Sequence, residues 1–287
     1  MLNAAARSAD GGGARNDAPQ TAPAADGRRA AQMGVPRAHG SVRRRGGWAS
    51  WRTVPAFAVG VLATLAAAVA AVCRGPARAD SPVTDRIVRW WAAAWLRPTG
   101  ARVTVHGLEH VSPATGYVMV SNHQSDLDPM VHLRALPLSL RVLAKREMFR
   151  IWLLGRAMRA IGMIEVDRDS PDLGRIDQAA ARSLAAGHSL LVYPEGTTSP
   201  GGAVGEFKDG AFVVAVTSQV PVLPVAIDGT RRIWPPGRTA IHGGRVRLVI
   251  GSPLPTSGLT QHDIPRLREQ ARDFICSARR DPDTALS

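Results

Sequence analysis

Residues 116–129 read Gly116-Tyr117-Val118-Met119-Val120-Ser121-Asn122-His123-Gln124-Ser125-Asp126-Leu127-Asp128-Pro129. A short apolar run of β-formers breaks into polar residues and a proline, which reads as a strand, a loop and the start of a helix. Strand-like runs recur at 101–107, 139–144, 162–168, 188–196, 220–227 and 245–254. Between them, 145–161 and 171–186 carry helical periodicity. That alternation predicts an α/β domain. Val, Ile and Leu sit side by side in several strands, as in a sheet covered on both faces.

Upstream, the chain changes character twice. Residues 1–53 are rich in Ala, Gly, Arg and Pro without apolar periodicity and are expected to be a disordered basic arm. Gly11-Gly12-Gly13 is no phosphate loop, having neither a strand before it nor a helix after it. Arg43-Arg44-Arg45 with Trp48, Trp51 and Arg52 mixes basic and aromatic residues as chains do at a bilayer surface. Val54 to Cys73 is then free of formal charge. Its length of about 20 residues suits a hydrocarbon core. Ala77-Arg78-Ala79 has the form of a signal-peptidase site, but the basic region lies too far from the N-terminus and the apolar stretch is too long for a signal peptide. From Thr84 to Arg97, Ile87, Val88, Trp91 and Trp95 recur at helical spacing opposite Arg86, Arg89 and Arg97. This reads as a basic amphipathic helix in the membrane interface, with an ordinary helix packed on its own domain as the alternative. Residues 54–97 are therefore expected to form a membrane-anchoring helical hairpin, 98–279 the catalytic-type domain and 280–287 a polar tail.

The 287 residues hold 36 Lys plus Arg against 23 Asp plus Glu, a formal charge of +13. The partner is expected to be anionic: nucleic acid, a membrane surface or a phosphorylated small molecule. The tryptophans cluster around the apolar segments and no nucleic-acid-binding motif is present, so nucleic acid is not expected. Two cysteines, Cys73 and Cys276, exclude a disulfide scaffold or a four-cysteine metal site. No His and Cys or His and Glu pair has metal-ligand spacing, so no metal is expected.

In α/β sheets, functional groups collect past the carboxyl ends of strands. There, His123 has a carboxylate five residues on, and Asp128 turned back onto the imidazole would fix its tautomer and make it a general base. Asp126 meets the same geometric requirement. The chain has no G-x-S-x-G elbow and no cysteine near this histidine, which implies that the attacking hydroxyl belongs to the substrate. The remaining histidines, His132 and His188 among them, are read as structural or surface residues. A second run, Tyr193-Pro194-Glu195-Gly196-Thr197-Thr198-Ser199, follows a buried strand. Its glycine allows close backbone approach to a ligand and Glu195 and the hydroxyls offer polar contacts, although an ordinary turn looks the same.

Together these residues resemble the glycerolipid acyltransferases typified by 1-acylglycerol-3-phosphate acyltransferase. Four blocks occur in the family's order: Asn122-His123 with Asp128; Gly162-Met163-Ile164-Glu165-Val166-Asp167-Arg168; Tyr193 to Thr197 with Phe207-Lys208-Asp209-Gly210-Ala211-Phe212; and Val222-Leu223-Pro224-Val225-Ala226. The resemblance implies a central mixed β-sheet flanked by helices. It implies that His123 takes the proton of a lysolipid hydroxyl, oriented by Asp128, and that the hydroxyl attacks the thioester of acyl-CoA or acyl carrier protein, with no other cofactor. Arg168 and Glu195-Gly196-Thr197 would hold the acceptor headgroup, with Lys145 and Lys208 as further cations and Asn122 among the substrate contacts. One departure concerns the acceptor: members that form phosphatidic acid usually carry Arg after E-G-T, where this chain has Thr198. Lysophosphatidate is the leading acceptor, with lyso-ornithine lipid or another lysophospholipid as alternatives and a catalytically silent lipid-binding protein as the rival of a different class. Cytosolic donors place the domain on the cytoplasmic face of the inner membrane, with the hairpin inserted shallowly beside anionic lipid.

Overall fold

Each apolar run read from the sequence contains a strand. The computed structural model describes residues 51–167, 173–199 and 203–280. Arg168 and nearly all of the basic arm lie outside the described residues, as do 281–287. Two helices come first, α1 (Thr53–Arg74) and α2 (Pro82–Thr99), then β1 (Ala101–His106), β2 (Val118–Ser121), α3 (Asp128–Ala135) and β3 (Leu140–Lys145). Next are α4 (Arg146–Arg150), α5 (Trp152–Ala160), β4 (Ile164–Val166), α6 (Leu173–Ala185) and β5 (Ser189–Val192). The chain continues through α7 (Gly210–Thr217), β6 (Val222–Asp228), α8 (Thr230–Ile233), β7 (Gly244–Ile250) and α9 (Ile264–Arg280).

The strands form one mixed sheet in the order β1-β7-β6-β2-β5-β3-β4. Only the β6–β7 pair among them is antiparallel, with Val225 opposite Ile250 and Asp228 opposite Arg247. The period-two alternation of strands divides their side chains between two cores. Met119, Leu191, Leu223, Val225 and Ile227 join residues of α2 and α3 on one face, while Val118, Val120, Leu190, Val222 and Ala226 meet α6, α7 and α9 on the other. Both faces are covered, which is why β2 and β6 read as unbroken apolar runs.

The chain leaves β2 for β3 on one side, returns to insert β5 beside β2, and then crosses to place β6 on β2's other side. The connections part at the carboxyl end of β2, the crevice where open α/β sheets bind ligands.

The helix pair differs from the interfacial reading of Thr84 to Arg97. Val88, Ala92, Trp95 and Leu96 are buried against the protein, and the indole N–H groups of Trp91 and Trp95 both donate to Thr64 Oγ1 of α1, at 2.9 and 3.2 Å. Gly60 admits this contact, since a Cβ there would lie 2.4 Å from the Trp95 ring. The α2 stripe is therefore core, the alternative its sequence allowed. α1 instead presents the free apolar face: Ala56, Ala63, Ala68 and Ala71 are buried, whereas Val54, Leu62, Leu65 and Val69 are exposed. By length and composition α1 is able to cross a membrane. Both of its ends, however, touch the same folded unit: Thr53 Oγ1 accepts from Ile241 N at 3.0 Å, and Ala68 and Ala71 pack on Ala157 and Ala160 of α5.

A second difference concerns 145–161, expected as one helix and found as α4 and α5. Ile151 leaves the helical region with ψ 114, and the chain folds back so that a Cβ on Gly155 would lie 2.0 Å from the Phe149 carbonyl oxygen. Glycine permits this approach, and periodicity alone does not reveal the break.

Candidate functional site

His123 leaves the carboxyl end of β2 and Asp128 opens α3. The five-residue turn between them closes on one carboxylate oxygen. Asp128 Oδ2 accepts from His123 Nδ1 at 2.9 Å, Gln124 N at 2.6 Å and Ser125 N at 2.9 Å. The fully buried carboxylate also sits in the first turn of α3, where the helix dipole favours negative charge. With Nδ1–H donating to Asp128, Nε2 is the ring nitrogen left to meet a substrate. Asp126, the other carboxylate within reach by spacing, is exposed and is not the partner.

The loop after β5 braces this turn. Glu195 Oε1 accepts from His123 N at 2.8 Å, and Oε2 accepts from Ser199 Oγ at 2.5 Å and Gly205 N at 2.7 Å. Ser199 N donates to His123 O at 2.9 Å. Asn122 clasps the neighbouring strand, its amide nitrogen donating to Ile227 O and its oxygen accepting from Ile227 N, both at 2.9 Å. These contacts change two assignments made from sequence. The side chains of Asn122 and Glu195 are buried and hydrogen-bonded within the protein, so they position His123 rather than meet a headgroup. Buried polar groups require such partners.

Gly196, Thr197 and Lys208 remain at the surface of this loop. Gly196 has φ +75, and a Cβ there would meet Lys208 Nζ at 3.1 Å, so the ammonium lies over the glycine. Lys145 ends β3 and, with His123, lines a cavity of about 420 Å³ between the helix pair and the sheet. The rest of that lining is largely apolar, including Ala67, Ala68 and Ala71 of α1, Trp91, Met130 and Ala157.

Sequence reasoning missed two neighbours of the pair. The Tyr193 ring stacks on His123 with centroids 4.1 Å apart and planes at 17°. Its hydroxyl lies 3.3 Å from Nδ1 of His132, which also faces the Asp128 backbone carbonyl at 2.7 Å. The i, i+4 spacing of Asp128 and His132 was the available signal. Burial pushes His132 from 6.5 down to about 4, outweighing the opposing influence of the Asp128 carboxylate. The unfolded chain thus protonates His132 below pH 6.5, the folded protein only below about 4. Stability from neutral His132 is complete above pH 6.5 and is lost as pH falls toward 4. Denaturant unfolding at pH 7 and 4.5 is expected to show a loss on the order of 2 kcal/mol from this group. His132→Leu should flatten that part of the pH profile; an unchanged slope would place the effect elsewhere.

Comparison with known proteins agrees with this geometry. Residues 102–228 match the Acyltransferase family. The chain is 33% identical over 187 residues to the human 1-acyl-sn-glycerol-3-phosphate acyltransferase alpha, covering 64% of this chain and 66% of that one. It is 36% identical over 172 residues to a chloroplastic 1-acyl-sn-glycerol-3-phosphate acyltransferase of Arabidopsis thaliana, covering 58% and 48%. The chain thus spans just under two thirds of the mammalian relative's length and about half of the chloroplast one's. The crystal structure of the 1-acyl-sn-glycerophosphate acyltransferase PlsC from Thermotoga maritima shares the fold, with a TM-score of 0.68 at 24% identity over 79% of this chain and 92% of that one. With its ordered motif blocks, its matched domain and its shared fold, the chain belongs to the acyltransferase family represented by the 1-acyl-sn-glycerol-3-phosphate acyltransferases.

Proposed function

We propose that this protein is a lysophospholipid acyltransferase that moves an acyl chain from acyl-CoA or acyl carrier protein to the sn-2 hydroxyl of 1-acylglycerol 3-phosphate, giving phosphatidic acid. The observation that carries the reading is the His123–Asp128 pair beside an apolar cavity. Nε2 of His123 takes the proton of the acceptor hydroxyl as its oxygen attacks the thioester carbonyl, and Asp128 stabilises the imidazolium that forms. Collapse of the tetrahedral intermediate breaks the C–S bond, and the imidazolium returns the proton to the departing thiolate. His123 begins and ends the cycle neutral and no acyl-enzyme forms. The names of the relatives support the acceptor.

The apolar cavity suits an acyl chain. Ala67→Phe narrows it from the α1 side, and the variant is expected to shift donor preference toward shorter chains, read by offering acyl donors of graded length. An unchanged preference would place the chain elsewhere. The exposed face of α1, with both ends of the helix on one folded unit, supports insertion of α1 into one leaflet, with an anionic cytoplasmic surface as the site of action.

The test is an acceptor panel: purified protein in anionic vesicles receives labelled acyl-CoA or acyl carrier protein with lysophosphatidate, another lysophospholipid or lyso-ornithine lipid. Phosphatidate is the expected product. Product from another lysolipid alone would keep the chemistry and replace the acceptor, and no product from any would favour a lipid-binding role.

A further inference from the structure

The acceptor headgroup needs a cation near His123, and one approaches from outside the motif blocks. β5 and β6 lie on opposite sides of β2. Arg231, in the first turn of α8 just after β6, donates from Nη1 to the carbonyl of Ser199 in the loop after β5, at 2.8 Å. Its side chain therefore spans the carboxyl end of β2, where His123 sits, and Ser199 N is itself bonded to His123 O. A second guanidinium reaches the same turn: Gln124, with its amide oxygen turned to suit, accepts from Nη2 and, at 3.0 Å, from Nε of Arg279 on α9. The nearby carboxylates are engaged. Glu195 holds its three donors, and Asp228 lies 3.6 Å from Arg232 and 3.8 Å from Arg279.

We propose that Arg231 binds the phosphate monoester of the acceptor, supplying from the β6 side the guanidinium that Thr198 does not supply from the β5 loop. The proposal rests on the acceptor reading above. A guanidinium presents five donors in a planar fork, a shape suited to bridging a loop carbonyl and a phosphate oxygen. Partial burial strengthens such a contact relative to one in open water.

The experiment measures KM for acceptor and donor with wild type, Arg231→Gln, Arg231→Lys and the double variant Arg231→Gln with Thr198→Arg, using lysophosphatidate and lyso-ornithine lipid. Arg231→Gln is expected to raise KM for lysophosphatidate about 10- to 100-fold, with donor KM unchanged and any lyso-ornithine turnover unaffected. Arg231→Lys should fall between, and Thr198→Arg should restore much of the loss. An unchanged acceptor KM, a raised donor KM or an equal fall in kcat for every acceptor would overturn the proposal, the last by making Arg231 a tie for the Ser199 loop. Wild-type turnover of lyso-ornithine lipid with none of lysophosphatidate would instead overturn the acceptor reading and this proposal with it.

Discussion

Replacing His123 with Ala is expected to lower kcat about 10²- to 10⁴-fold, the range carried by a positioned general base. Acceptor and donor KM should change little, because the ring acts on the hydroxyl proton as the bond forms. Asp128→Asn should show a fall of the same order for a different reason. Asp128 Oδ2 gathers His123 Nδ1 and two backbone N–H groups, and a neutral amide in its place lacks the charge that stabilises the imidazolium. The double variant should be scarcely slower than either single one, since the two residues act as a unit. Wild-type kcat in His123→Ala would remove the histidine from the chemistry.

Replacing Arg141 should have the largest effect on stability. It sits in β3 at 1% exposure and donates to Asp85 Oδ1 at 2.9 Å, Ala79 O at 2.8 Å and Leu140 O at 3.1 Å. His188 lies beside it, accepting at Nδ1 from Ser139 Oγ at 2.8 Å and pairing through Nε2 with Asp80 Oδ1 at 2.6 Å. This cluster fastens the α1–α2 connection and the first turn of α2 to the starts of β3 and β5. Removing one partner of a buried charged pair costs about 3–5 kcal/mol, because the groups left behind lose their bonds. Arg141→Met should therefore lower the unfolding midpoint by roughly 6–20 °C for a domain of this size. Arg141→Lys should recover little, since one ammonium does not reproduce the spread of the guanidinium contacts. A loss under about 1 kcal/mol would show that the helix pair is held mainly by its apolar contacts.

The sheet was legible because its strands are buried on both faces, which concentrates Val, Ile and Leu into runs that no solvent-facing strand shows. The His123–Asp128 pair was legible because the loop is short enough for five residues to close on themselves. What sequence did not reveal depends on three-dimensional neighbours. Arg141 stands in the apolar run Leu140-Arg141-Val142-Leu143 with no local sign of its partners at 79, 85 and 188. Asn122 and Glu195 carry the polar chemistry of substrate contacts, and only the position of Ile227 and of the backbone of His123 reveals them as braces. The amphipathic stripe of α2 suits a membrane or a protein core equally well, and the choice was made by Thr64 and Gly60 on the preceding helix.

The most direct measurement is a single turnover: excess protein in lysophosphatidate-containing vesicles is mixed with labelled acyl-CoA or acyl carrier protein and quenched at intervals. Direct transfer predicts that label passes from donor to phosphatidate with none attached to the protein at any time, and that His123→Ala slows its appearance by orders of magnitude. Label that accumulates on the protein before reaching lipid, or that reaches phosphatidate equally fast in the variant, would contradict the account.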